Sequence, residues 1–205
     1  MHPYLKICRD TILKNSGCTV IILGKDDVKE YQDLPINLKV DYLKAKTIYK
    51  NGGFWIDADM IVLKDLKPLW EYLEWNDFVG IPGFFGARKG SKMIKRWIES
   101  MEGVLKGSKP SFSGLIQPLL KDPEFKEFEP LTKEMICPIY HTGDEFWKLF
   151  ETHKAEEFIT DKTYVFTLYN SAFSEEIKKM PVSELLHKSW LISDVFRKAL
   201  CDTAQ

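Results

Sequence analysis

The chain has 205 residues, 44% of them hydrophobic and 29% charged, with a net charge of -1. This composition fits one globular domain over residues 1–205, alone or within a longer protein, and excludes disordered and fibrous classes. The near-neutral charge gives no electrostatic basis for a nucleic-acid partner, and no apolar run is long enough to span a membrane.

Cys8, Cys18, Cys137 and Cys201 are scattered and form no Cys-x-x-Cys pair, so neither zinc nor a dithiol redox centre is expected. They read as free thiols in a reducing compartment. The N-terminus carries no signal-peptide pattern, so the expected location is cytoplasmic.

In chain order, Pro3 opens a predicted helix over Tyr4–Asn15, with Leu5, Cys8 and Ile12 at helical spacing. Thr19–Leu23, β-branched and aliphatic, reads as a strand. Asp27 and Glu30 fit a capping box for a short helix that stops near Pro35. Leu38–Lys50 is a second long helix, with Leu38, Tyr42, Ala45 and Tyr49 on one face. Asn51-Gly52 supplies a left-handed stop. Phe54–Ile56 then reads as a buried strand and Ile61–Leu63 as further apolar chain. This order of helices and strands predicts an α/β fold with a mixed, mainly parallel sheet flanked by helices.

Further on, Pro68–Leu73 reads as a short helix, and Phe78–Ile81 and Phe84–Ala87 as short strands parted by Pro82-Gly83. Ser91 caps an amphipathic helix over Lys92–Lys106, and Ser113 is expected to cap another over Gly114–Leu120. Residues 121–162 have no clear period. Thr163–Tyr169 alternates as a strand, followed by a helix over Glu175–Lys179, an apolar segment over Val182–Leu186 and a closing helix over Asp194–Leu200.

Within this order, Asp57 and Asp59 stand in the middle of apolar sequence. Asp-x-Asp by itself commonly marks a solvated turn. Along an extended chain, however, the two carboxylates would point to one side, repel each other and be costly to bury unpaired. A divalent cation resolves that conflict, and oxygen ligands suit Mg²⁺, Mn²⁺ or Ca²⁺. His187, in His187-Lys188-Ser189-Trp190, would tilt the choice toward Mn²⁺ if it joined them. A lone histidine after an apolar run is otherwise an ordinary core or surface residue. Asp41 and Lys44 share a helix face that leads into the Asp-x-Asp strand; from spacing alone they read as a surface ion pair worth little.

The blocks Asp41-Tyr42-Leu43-Lys44, Ile48–Asp59 and Leu63-Lys64-Asp65-Leu66 resemble the sugar-transferase pattern of glycosyltransferase family 32 and the related capsular-polysaccharide and glucosylating-toxin transferases, of GT-A fold. Phe84–Lys89 and His187–Trp190 resemble later segments of the same pattern. The compactness also resembles that of small transferases with which large algal DNA viruses decorate capsid protein. The likeness covers roughly residues 4–106 and 163–190. Lys44 stands where the family has Arg, which keeps the charge and loses the bidentate fork.

The resemblance implies transfer of a sugar from a nucleoside-diphosphate donor, a UDP-sugar, to a glycan or glycoprotein acceptor, with retention of configuration and with Mn²⁺ or Mg²⁺. It implies Asp59 and His187 as metal ligands, Asp57 shared between metal and donor, and Asp41, Lys44, Ser189 and Trp190 as donor contacts. It implies no catalytic nucleophile; Asp144 and Glu145 are the carboxylates to inspect for an inverting reaction. Two rivals share the Asp-x-Asp chemistry: a haloacid-dehalogenase-type phosphatase and a non-catalytic sugar- or Ca²⁺-binding module.

Overall fold

A computed structural model describes residues 1–24, 26–27, 36–81, 83–104, 119, 121–125, 131–140 and 143–201. The chain sorts into two compact units, one formed by Met1–Val20, Asp57–Pro68 and Leu131–Gln205, the other by Ile21–Ile56 and Leu69–Pro130. The expected single domain thus has two parts that alternate along the chain, which explains why no linker composition marks a boundary in the sequence.

In the second unit, α2 (Ile36–Asn51) runs into β1 (Gly53–Ile56). The stop between them is Gly52, at φ +71°, whose N–H donates to Ile48 O at 2.7 Å. A Cβ at Gly52 would come within 2.9 Å of the Lys89 backbone nitrogen, so glycine is also needed for close approach. After a 3₁₀ turn and the one-turn helix α3 (Tyr72–Trp75), β3 (Phe78–Ile81) and β4 (Phe84–Ala87) complete a three-stranded sheet with β4 in the centre. Both pairings are antiparallel, with Phe85 opposite Trp55 on one side and Gly80 on the other.

Helix α4 (Lys92–Val104) begins at Ser91, whose Oγ accepts from Ile94 N at 3.1 Å, as expected of a cap. Its Met93, Ile94, Trp97, Ile98 and Met101 pack with Leu38, Tyr42, Ala45 and Ile48 of α2 and with Phe78, Phe85 and Ala87 of the sheet. The Phe85 ring stacks on Phe78 and meets Trp97 edge-on, with centroids 5.4 and 5.7 Å apart. Such pairs add about 0.5–1.5 kcal/mol each beyond area burial.

In the first unit, β2 (Met60–Val62) pairs antiparallel with β5 (Val165–Thr167). Two short strands are not stable alone, and helix α1 (Pro3–Asn15) and the closing helix Leu191–Cys201 supply the missing burial. Tyr4, Ile7 and Cys8 meet Ile61, Phe166, Leu168, Leu191, Val195 and Phe196 in one core.

The expected mainly parallel sheet is not formed among the described residues: every pairing there is antiparallel. Thr19–Leu23 makes no ladder, and Ile21 and Ile22 are largely exposed. One physical reason lies at Val62. Its N–H donates to Thr11 Oγ1 at 3.1 Å, and its carbonyl accepts from Asn15 Nδ2 at 2.7 Å. Side chains of α1 thereby take the edge of β2 that a parallel neighbour would need. The helix expected over Gly114–Leu120, except Leu119, the loop before it and most of the segment after Asp27 lie outside the described residues.

Candidate functional site

The chain leaves the second unit at Ile56 and enters the first at Asp57. Asp57-Ala58-Asp59 is a turn between β1 and β2, strands of different sheets, so the alternation expected of an extended chain does not operate there. Ala58 is exposed, and Asp57 and Asp59 are half-buried.

Asp59 is fastened by the segment leaving β5. Its carbonyl accepts from Leu168 N at 3.0 Å, and its Oδ2 accepts from Asn170 N at 2.7 Å. Among the described residues no hydrogen bond engages Oδ1. Asn170 opens a 3₁₀ turn immediately after Tyr169, the one described non-glycine residue at positive φ, +55°. Holding tyrosine in this region costs about 1–3 kcal/mol, and strain of this kind gathers at functional sites. The Tyr169 hydroxyl is anchored on Cys137 Sγ at 2.5 Å. Asn170 Oδ1 accepts from the Tyr4 hydroxyl. Burial, then the charge of Asp59, pushes the Tyr4 phenol above its usual range, and the buried Cys8 thiol is raised by the same two causes.

Nothing in the sequence singles out this layer behind Asp59. Tyr4 reads as a helix-face aromatic, Tyr169 as the end of a strand and Cys137 as an isolated thiol. The left-handed turn falls on a tyrosine, where no glycine or asparagine signals it.

His187 ends the helix Val182–His187 and is exposed. Its Nδ1 donates to Ser183 O at 2.6 Å, so in a neutral ring the lone pair lies on Nε2. Among the described residues, no three His, Cys, Asp or Glu side chains gather into a group that could hold a metal. The expected trio of Asp57, Asp59 and His187 is therefore not assembled as one group here.

The segment that follows is firmly placed. Ser189 Oγ lies 3.3 Å from Thr152 Oγ1, and Leu191 N donates to Glu151 O at 2.9 Å. Trp190 meets Phe150 edge-on at 5.6 Å, and Lys188 lies 5.3 Å over the indole. Arg197 Nη1 donates to Leu186 O and Lys188 O, at 2.6 and 3.1 Å, and its other nitrogen pairs with Asp194 at 2.9 Å.

Asp41 and Lys44 are not on the surface. They are 5% and 4% exposed and face each other at 2.5 Å within α2. Lys44 Nζ also lies 5.8 Å from the Trp55 ring of β1. The expected solvated pair is thus a buried one, for which losing a single partner is costly. Asp144 and Glu145 are exposed. Glu145 accepts from Lys133 at 2.9 Å and from Tyr140 N at 3.4 Å, and the Lys133 hydrogen bond is the main cause holding its carboxyl below the usual range.

Residues 21–77 match a family model described as a glycosyltransferase sugar-binding region containing a DXD motif. That span contains Asp41, Lys44, Asp57 and Asp59; the rest of the chain lies outside it. The match supports a glycosyltransferase of the DXD type. No curated protein and no solved structure matches the chain.

Proposed function

We propose that this chain is a metal-dependent glycosyltransferase that uses a nucleoside-diphosphate sugar, a UDP-sugar, and transfers the sugar with retention to a glycan or glycoprotein acceptor. The observation that carries the reading is the family match across the helix, Gly-Gly stop, strand and Asp-x-Asp. The geometry of Asp59 supports it: Oδ2 is committed to a backbone N–H, while no hydrogen bond from a described residue reaches Oδ1.

The donor set of Asp57 and Asp59 fits a hard divalent cation. Bound there, Mn²⁺ or Mg²⁺ would supply Lewis-acid neutralisation of the departing diphosphate. We assign Asp59 and Asp57 as its holders, with His187 Nε2 as the nitrogen that would join them. Trp190 and Ser189, fixed by Phe150 and Thr152, would cover the diphosphate. Asp41 and Lys44 would brace β1 through Trp55; donor contacts from them would compete with the ion pair they already make. No side chain is assigned as nucleophile: with retention by front-face attack, the leaving phosphate takes the acceptor proton. Glu145, held by Lys133, is the carboxylate to test for an inverting reaction. A reducing, cytoplasmic setting is assigned from the four free cysteines.

The test is a screen of nucleotide sugars with Mn²⁺. The expected result is release of nucleoside diphosphate that chelator abolishes, that Mn²⁺ restores and that Asp59→Asn eliminates. Full turnover in excess chelator would overturn the metal dependence, and efficient hydrolysis of a generic aryl phosphate would overturn the reading in favour of the phosphatase rival. No turnover with any donor, alongside sugar or Ca²⁺ binding, would favour the binding module.

A further inference from the structure

We infer that Tyr4 is a positioning residue for Asp59, acting through Asn170. The inference rests on the proposed role of Asp59 in holding a cation. It draws on a relay that joins two distant stretches of the chain: the Tyr4 hydroxyl donates to Asn170 Oδ1, and the Asn170 N–H donates to Asp59 Oδ2 at 2.7 Å.

Every member of the relay is held from behind. Tyr4 is fully buried, and its ring packs on Phe173 with centroids 5.1 Å apart. Burial and the Asp59 charge push its phenol above the usual range, and its hydroxyl is the donor to the Asn170 amide oxygen. Asn170 has little freedom, because the left-handed Tyr169 before it is tied to Cys137 and the Asn170 side chain is tied to Tyr4. Leu168 N holds the Asp59 backbone on the same segment at 3.0 Å.

The consequence is selective. A backbone N–H on Oδ2 restrains the carboxylate and occupies one lone-pair direction there, which leaves Oδ1 as the oxygen without a hydrogen bond among the described residues. Partners behind a metal ligand commonly set its orientation in this way, and their loss lowers metal affinity by about 10–100-fold. A merely structural Tyr4–Asn170 bond would join α1 to the turn and leave affinity untouched.

The experiment measures Mn²⁺ binding in the presence of uridine diphosphate, by electron paramagnetic resonance, and melting temperature without metal. It uses the full chain and the variants Tyr4→Phe, Asn170→Ala, their combination and Asp59→Asn. Asn170→Ala keeps the backbone N–H and removes the side-chain amide that Tyr4 holds, so it serves even if Tyr4→Phe folds poorly. The expected result is about ten-fold weaker Mn²⁺ binding in each single variant. The double variant should be no weaker than either, because one relay is cut at two points. Asp59→Asn should abolish binding. Wild-type affinity in Tyr4→Phe and Asn170→Ala, with Asp59→Asn still unable to bind Mn²⁺, would overturn the positioning role alone, whatever the melting temperatures. Absence of Mn²⁺ binding by the wild-type chain would overturn both that role and the cation reading beneath it.

Discussion

Both units bury polar side chains against backbone groups, Asn76 and Ser91 in one and Thr11 and Asn15 in the other, but they differ in buried charge. The unit built on β1, β4 and β3 encloses an aromatic and aliphatic core and places one full ion pair, Asp41–Lys44, inside it. In the unit built on β2 and β5, the buried Thr11, Asn15, Ser193 and Thr167 side chains donate to backbone carbonyls. Thr11 donates to Cys8 O at 2.7 Å, Asn15 donates to Val62 O and Ala199 O, Ser193 to Leu185 O and Thr167 to Ile136 O. Asp41 faces a cation supplied by the protein. Asp59 faces a backbone N–H and a neutral relay. A carboxylate whose local partners are dipoles keeps its charge available, because they orient that charge without cancelling it.

The largest expected effect tests the ion-paired side of this contrast. Lys44→Met removes the cation facing a buried carboxylate and should destabilise the protein by about 3–5 kcal/mol in urea unfolding. Adding Asp41→Asn should restore much of that loss, since the buried charge is then gone. A loss below about 0.5 kcal/mol for Lys44→Met would mean that the pair behaves as a solvated one, and the contrast would fail.

A smaller effect is expected in the network of neutral groups. Thr11→Val keeps the shape and leaves the buried Val62 N–H without its acceptor, at a cost of about 1–3 kcal/mol by the same measurement. The edge of β2 would then lose half of what replaces a neighbouring strand. Unchanged stability would show that the α1 side chains are not what closes that edge.

The smallest effect concerns Asp194, which with Arg197 steadies the backbone before Ser189 and Trp190. Burial alone would raise its carboxyl, but the Ala155 N–H and the Arg197 guanidinium outweigh this and hold it below the usual range. Its value is therefore lower folded than unfolded. The stability it contributes is present above the ordinary carboxylate range and lost as pH falls through the folded value. Asp194→Asn should lower the melting temperature modestly at pH 7, and the gap from wild type should close below about pH 4. A gap independent of pH would assign the effect to shape instead of charge.

Local elements were legible because each carries its own signal. The strands at Phe78–Ile81 and Phe84–Ala87 and the helix Glu175–Lys179 fall where the apolar pattern puts them. Pro3 at the start of α1, Gly52 at the end of α2 and Ser91 before α4 mark termini through backbone chemistry that one residue decides. The Asp-x-Asp block was legible for the same reason, as a run of adjacent residues, and residues 21–77 carry the family match.

Readable from the sequence are the long helices, most strands and the short run that bears the carboxylates, but not the helical turns at Lys133–Ile136 and Gly143–Phe150. Tertiary structure alone decided the pairing directions and the environment of each charge. Thr19–Leu23 has the composition of a strand, yet a strand needs a partner edge, and the edge of β2 is taken by Thr11 and Asn15. The spacing of Asp41 and Lys44 is the same on a solvated or a buried helix face; only packing against α4 and the sheet makes the pair interior. The relay from Tyr4 to Asp59 joins residues 166 positions apart at its first bond and 111 at its second. No local propensity encodes such a contact, because its geometry exists only after the chain has brought α1, β2 and the exit of β5 together.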